Sequence, residues 1–190
     1  MGDSISAGLG IDLQKGWVAL LGQQLNQVDA LSDSSANKIH IINASISGET
    51  TSGGRYRLAQ ALKKYQPNLV IIELGGNDGL RGTPIRSIAG NLSAMISASQ
   101  ASGAKVMLLG MRIPPNYGER YTQQFAAIYA DLAKTHDTLL VPFLMQNVVG
   151  KAGMMQDDGI HPTELAQPAM TKLVKELLLS KIKSQLDVNQ

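Results

Sequence analysis

The 190-residue sequence is long enough for one domain with a sizeable core, and its 44% apolar and 17% charged residues separate it from intrinsically disordered chains. Seventeen basic and fifteen acidic residues leave a net charge of +2 spread along the chain, so no basic tract marks it for nucleic acid or an anionic membrane. The absence of cysteine excludes disulfides and thiolate zinc sites, and no apolar run reaches the roughly 18 to 20 residues that span a bilayer.

No charged-then-apolar leader precedes Gly2. The chain opens on Gly2-Asp3-Ser4-Ile5-Ser6-Ala7-Gly8, where a serine follows an acidic residue and leads a run of small residues. That pattern suits a strand-to-helix turn exposing a hydroxyl at a sheet end. Trp17, Leu20, Leu21, Gln24 and Val28 recur at helical spacing and predict a helix over 16–28. Residues 29–38 are polar and read as a loop. The β-branched Ile39-His40-Ile41-Ile42-Asn43-Ala44 predicts a strand ending in Ser45-Ile46-Ser47-Gly48-Glu49-Thr50. Leu58, Ala61, Leu62 and Tyr65 give the next helix its apolar face, closed by Pro67.

Asn68 to Leu74 is nearly continuous in apolar residues, as in a parallel strand covered on both sides, and it stops at Gly75-Gly76-Asn77-Asp78. A long amphipathic helix runs from near Pro84 to Gly103, and Lys105 to Leu109 is a further buried strand. Met111 to Gly118, with Pro114 and Pro115, reads as a covering loop that cannot be regular structure. Tyr121, Phe125, Ile128, Tyr129 and Leu132 mark a helix, and Thr138 to Phe143 a final strand. A loop with Asp158 and His161 leads to a last helix faced by Ala166, Ala169, Met170, Leu173, Val174, Leu177 and Leu178. Strands alternating with helices predict an α/β layer fold with a mostly parallel sheet, in which ligands bind beyond the carboxyl ends of the strands.

A serine hydroxyl needs a base within hydrogen-bond reach and a group to orient that base. His161, with Asp158 three residues before it, can supply both for Ser4. A tetrahedral intermediate also needs donors for its oxyanion. Gly48, whose bare backbone permits close approach, Asn77, projecting from a glycine turn, and the Ser4 N–H are the candidates.

In order, the blocks are Gly2-Asp3-Ser4, Asn43 to Gly48, Gly75-Gly76-Asn77-Asp78 and Asp158-Gly159-Ile160-His161-Pro162. Together they resemble the SGNH (GDSL-type) hydrolases over about residues 2 to 180. The resemblance implies a single hydrolase domain over 1–190 with a flavodoxin-like three-layer α/β/α sandwich and no metal or cofactor. It implies Ser4 as nucleophile, His161 as base, Asp158 as its orienting carboxylate, and Ser4, Gly48 and Asn77 as oxyanion donors. The implied substrates are acyl and aryl esters, thioesters and lysophospholipid-type lipids, cleaved through an acyl-enzyme. Leu80, Met111, Ile113, Pro114 and Tyr117 are expected along the acyl site. No nucleic-acid partner or stable membrane insertion is implied, and the location favoured is periplasmic or secreted. The rivals are a carbohydrate deacetylase of the same family and a catalytically impaired acyl-binding or interaction module.

Plainer roles compete for individual residues. Asp3 is expected to bond the backbone of its own turn, Asp158 could cap the last helix, Asp157 could replace it beside His161, and Arg81 and Arg112 are expected as loop anchors or solvated. One feature departs from the family: an apolar strand of about five residues normally precedes Gly-Asp-Ser, and here only Met1 does. That strand is central in the order 2-1-3-4-5, and about four buried apolar side chains are worth about 6 to 12 kcal/mol. The expectation is that another segment, a strand exchanged with a second copy in a homo-oligomer, or sequence further upstream fills its place.

Overall fold

The computed structural model describes residues 1–28 and 38–187, with side chains described as far as Lys181. In chain order the elements are α1 (Ser4–Ala7), α2 (Trp17–Leu25), α3 (Thr51–Tyr65), β1 (Leu69–Ile72), α4 (Gly76–Leu80), α5 (Ile85–Ala101), β2 (Lys105–Leu109), α6 (Glu119–His136), β3 (Leu139–Val141) and α7 (Gln167–Asp187). The loop predicted over 29–38 lies, except for Lys38, outside the described residues. Two compact units emerge, one formed by Met1–Ser4 with Ala44–Phe143, the other by Ile5–Asn43 with Leu144–Gln190.

The first unit holds a parallel sheet in the order β1-β2-β3, with Val70 opposite Val106 and Leu108 opposite Leu140. The strands are short and almost wholly apolar because both faces are covered. Ile72, Met107, Leu108 and Leu109 are fully buried, with Leu92, Met95 and Ile96 of α5 and Phe125 of α6. Phe125 and Tyr129 meet edge to face at 5.8 Å, an arrangement the ring quadrupoles favour. α5 begins directly after Pro84 and closes at Ser102 before the left-handed Gly103, matching the predicted proline start and glycine stop.

Where β2 runs out, Gly110 N–H donates to the Val141 carbonyl at 2.8 Å. A Cβ at Gly110 would lie 2.1 Å from the Pro142 carbonyl oxygen, and a backbone atom cannot swing aside as a side chain can. Gly110→Ala is therefore expected to cost about 3 kcal/mol. Thermal unfolding should report it as a midpoint lowered by about 6 to 12 °C.

The second unit is organised by α2 and α7. Trp17, Leu21 and Leu25 recur along one face of α2, and Ala166, Met170, Val174 and Leu178 supply apolar surface at and along α7; all are buried. The Trp17 N–H donates to the Gln167 side chain at 3.0 Å, and the Thr171 hydroxyl donates to the Trp17 carbonyl at 3.2 Å. These bonds serve the α2 N-terminal turn, whose Gly16 cap offers no side chain.

Two expectations change. The segment 39–44 is not a strand, despite β-branched residues at three of its six positions. The Ile39 backbone is served instead by the Asn26 side chain, which donates to its carbonyl and accepts from its N–H, both at 2.9 Å. Ile41 packs on Gly22, and Ile42 remains 53% exposed. Met1 and Gly2 run beside the end of β1: Gly2 bridges Glu73 in parallel, Met1 N donates to the Ile71 carbonyl at 3.0 Å, and Glu73 N–H donates to the Met1 carbonyl at 2.9 Å. On the other side the Gly2 carbonyl accepts from the Ile46 N–H at 3.0 Å, beyond the end of the 39–44 segment. The second change is small. The 111–118 loop contains a three-residue 3-10 turn, Pro115–Tyr117, started by its own prolines.

Candidate functional site

Ser4 stands where the Met1–Gly2 ladder ends and is the first residue of α1, so the predicted strand-to-helix turn is present. It is 9% exposed. Asp3, buried to 2%, does more than brace its own turn: its carboxylate accepts from the Asn77 side-chain amide at 3.3 Å, and its N–H donates to the Glu73 carboxylate at 3.2 Å. The residue before the serine thus touches another of the proposed site residues.

Asn77 lies in α4 rather than in an open turn. Gly75, at φ 122°, makes the reversal from β1 into that helix, and a Cβ there would meet the Tyr129 hydroxyl at 2.4 Å. That hydroxyl donates to the Leu74 carbonyl, and burial, then the neighbouring Glu73, Asp3 and Asp78, push its pKa well above the usual phenol value. Tyr129 therefore remains a neutral donor under the turn. Met111 and Ile113 pack against Gly76 and Gly79 of α4, and Tyr117 donates to the Leu80 carbonyl at 3.0 Å. Of the residues expected along the acyl site, Met111 and Ile113 are thus buried supports of the Asn77 helix, while Pro114 and Tyr117 are exposed.

Gly48, at φ 79°, adopts a conformation costly for other residues, and nothing lies within 4 Å of where its Cβ would be. The 44–50 turn around it is pinned by Arg57, which donates to the Ala44 carbonyl at 2.6 Å and pairs with Glu49 at 2.5 Å. Arg81 donates to the Gly48 carbonyl at 3.4 Å, a loop anchor as expected. Arg112 lies over the Phe143 ring at 5.1 Å. Beneath the turn, Asp78, 2% exposed, accepts from the Thr51 N–H at 2.8 Å and from its hydroxyl at 2.7 Å.

Asp158 and His161 belong to the second unit. The loop carrying them is closed by the Met155–Pro162 bridge and by a Gln156 N–H bond to the His161 carbonyl at 2.8 Å, with Gly159 supplying a positive φ. Oδ1 of Asp158 accepts from the N–H groups of Ile160 and His161 at 2.8 and 2.9 Å, and Oδ2 contacts Nδ1 of the imidazole at 2.6 Å. The backbone N–H of His161, its ring, and the N–H of Ile160, in that order, hold the Asp158 pKa down at about 2. A carboxylate on Nδ1 leaves Nε2 to exchange protons.

The depressed pKa has a definite sign in stability. The contribution of Asp158 is fully present above the unfolded carboxylate pKa of about 3.9 and is lost as pH falls through about 2. The difference in urea midpoint between wild type and Asp158→Asn should therefore shrink as the pH falls below about 4.

Among the described residues, no cluster of three or more His, Asp or Glu is arranged to hold a metal, and no helix is long and apolar enough to cross a membrane. Sequence reading missed the Asp3–Asn77 and Asp78–Thr51 bonds. The signal was slight: each aspartate adjoins a proposed functional residue.

A serine opening a helix at the end of a parallel ladder, an asparagine in the short helix after β1, and an Asp–His pair in a separate closed loop are features of a hydrolase built on an α/β sheet. The profile of the GDSL-like lipase/acylhydrolase family matches residues 1–167. Esterase TesA of Pseudomonas aeruginosa is 48% identical over 174 residues, 92% of this chain and 83% of that protein. An arylesterase of Vibrio mimicus is 45% identical over 179 residues, 94% and 86% of the two chains. The crystal structure of TesA superposes with a TM-score of 0.85 at 48% identity, covering 93% of this chain and 94% of that one. Psychrotrophic esterase EstA from Pseudoalteromonas sp., in a structure inhibited by monoethylphosphonate, gives 0.82 at 39% identity over 98% and 96% of the chains. The chain belongs to the GDSL-like lipase/acylhydrolase family, has its three-layer α/β/α fold with a parallel sheet, and is a carboxylic ester hydrolase.

Proposed function

We propose that residues 1–190 act as one catalytic domain that hydrolyses acyl and aryl esters and thioesters, lysophospholipid-type lipids among them, through an acyl-enzyme on Ser4. The observation that carries this reading is the Asp158–His161 pair, with one carboxylate oxygen on two backbone N–H groups and the other 2.6 Å from the imidazole. Such anchoring fixes the imidazole before substrate arrives, which is the preorganisation general-base catalysis needs.

In this reading Nε2 of His161 takes the Ser4 proton as Oγ attacks the acyl carbonyl. The oxyanion accepts from the N–H groups of Ser4 and Gly48 and from the Asn77 amide, one of whose hydrogens is directed to Asp3. The imidazolium returns the proton to the departing alkoxide, phenoxide or thiolate. Water, deprotonated by the same imidazole, then releases the acid and regenerates Ser4.

Leu80, Pro114 and Tyr117 are proposed to line the acyl chain, with Met111 and Ile113 supporting them. A periplasmic or secreted location belongs to the same proposal, and a chain without cysteine has no thiol for an oxidising compartment to attack.

The test is labelling by a fluorophosphonate probe, combined with hydrolysis of a p-nitrophenyl ester series from acetate to longer acyl chains. Stoichiometric labelling and turnover rising beyond acetate are expected. Absence of labelling would leave only a binding module. Preference for acetylated sugars over acyl esters would transfer the reading to a deacetylase.

A further inference from the structure

We infer that Asp78 is a positioning residue for ester hydrolysis, coupling the two oxyanion donors Gly48 and Asn77 by gripping Thr51 from the position directly after Asn77. The inference rests on the assignment of Gly48 and Asn77 proposed above. Its physical basis is the cost of what the fold has buried. Asp78 is 2% exposed, and its hydrogen-bond donors are the N–H and hydroxyl of Thr51, itself 0% exposed. A buried carboxylate with no ion pair among the described residues is expensive, and the two bonds it accepts from Thr51 are what offset that cost.

The two bonds have a directional result. Thr51 is the first residue of α3, three positions after Gly48, and Thr50 caps the same helix by accepting from the Gly53 N–H at 3.2 Å. Fixing Thr51 against Asp78 sets where the Gly48 turn lies relative to α4, and hence to Asn77. The positive end of the α3 dipole faces the carboxylate and strengthens the bond. Asn91 donates to the Thr51 hydroxyl at 3.1 Å and receives Arg55 at 3.2 Å, so the hydroxyl keeps its orientation toward Asp78. The Arg81 contact to the Gly48 carbonyl forms a second, exposed tie between the same two segments. Replacing Asp78 by asparagine would preserve size and leave one oxygen for the Thr51 N–H, while the charge is lost and the Thr51 hydroxyl faces an NH2 group to which it cannot donate.

The measurement is a double-mutant cycle in steady-state hydrolysis of p-nitrophenyl butyrate, using Asp78→Asn, Asn77→Ala and both together, with thermal midpoints taken alongside. Asp78→Asn is expected to lower kcat about tenfold or more with KM within about threefold. In the Asn77→Ala background its further effect should fall below about threefold, because a residue acting through Asn77 has nothing left to position. Equal losses in both backgrounds, or unchanged kcat in a folded Asp78→Asn protein, would overturn the inference while leaving the oxyanion assignment intact. Full turnover by Asn77→Ala would overturn that assignment first, and the inference with it. Should Asp78→Asn not fold, Thr51→Val and Thr51→Ser replace it. The valine variant should reproduce the kcat loss and the serine variant restore it; equal activity in the two sinks the coupling.

Discussion

Ser4→Ala is expected to abolish p-nitrophenyl butyrate hydrolysis, with kcat falling by on the order of 10⁶, the loss typical when the nucleophile of an intact serine triad is removed. The reason is chemical rather than structural. Without Oγ no acyl-enzyme forms, and the residual rate is what the oxyanion donors and bound water achieve alone. Alanine is compatible with the first position of α1 and removes one oxygen from a site 9% exposed, so the circular dichroism spectrum should be unchanged. Fluorophosphonate labelling should vanish in the same variant. Retention of most of the turnover by a folded Ser4→Ala protein would refute Ser4 as nucleophile.

The next largest effect is expected at Asn77. In the proposed mechanism its amide is a donor aimed at charge that appears only in the transition state, so Asn77→Ala should lower kcat by about 10² to 10³ and change KM by less than about threefold. A second consequence runs through Asp3, which loses the 3.3 Å bond it accepts from that amide. Asp3 is buried to 2% and its own N–H remains tied to Glu73, so the helix start at Ser4 should persist and the thermal midpoint should move little. Steady-state kinetics separates the possibilities: a rise in KM with kcat intact would mean that Asn77 binds ground-state substrate instead.

Much of this was legible along the chain because the patterns involved are local. The apolar runs of β1 and β2 and the periodic faces of α5 and α6 arise from burial on both faces of a strand or one face of a helix, and each shows within a dozen residues. The same holds for Asp158 and His161, whose three-residue separation lets one glycine-containing loop bring carboxylate and ring to 2.6 Å. At Gly48 and Gly75 the glycine itself signalled a turn that the positive φ values then made concrete.

What the chain order could not decide were contacts between distant segments. The stretch 39–44 has the composition of a strand, yet pairing depends on a neighbour, and the bond to Gly2 comes from beyond it, where the Ile46 N–H donates to the Gly2 carbonyl. Propensity without a partner cannot satisfy a row of backbone groups, so Asn26 serves Ile39 instead. Asp3, expected to serve its own turn, also holds an amide 74 positions away; Asp78 grips Thr51, 27 positions before it. The sequence by itself determined the layered α/β class and the family, since these follow from periodicity and short-range motifs, and it supplied the candidates for the site. Only the tertiary structure decided which buried carboxylate holds which donor, because such a partner is selected by where the chain returns in space, and no spacing along it encodes that.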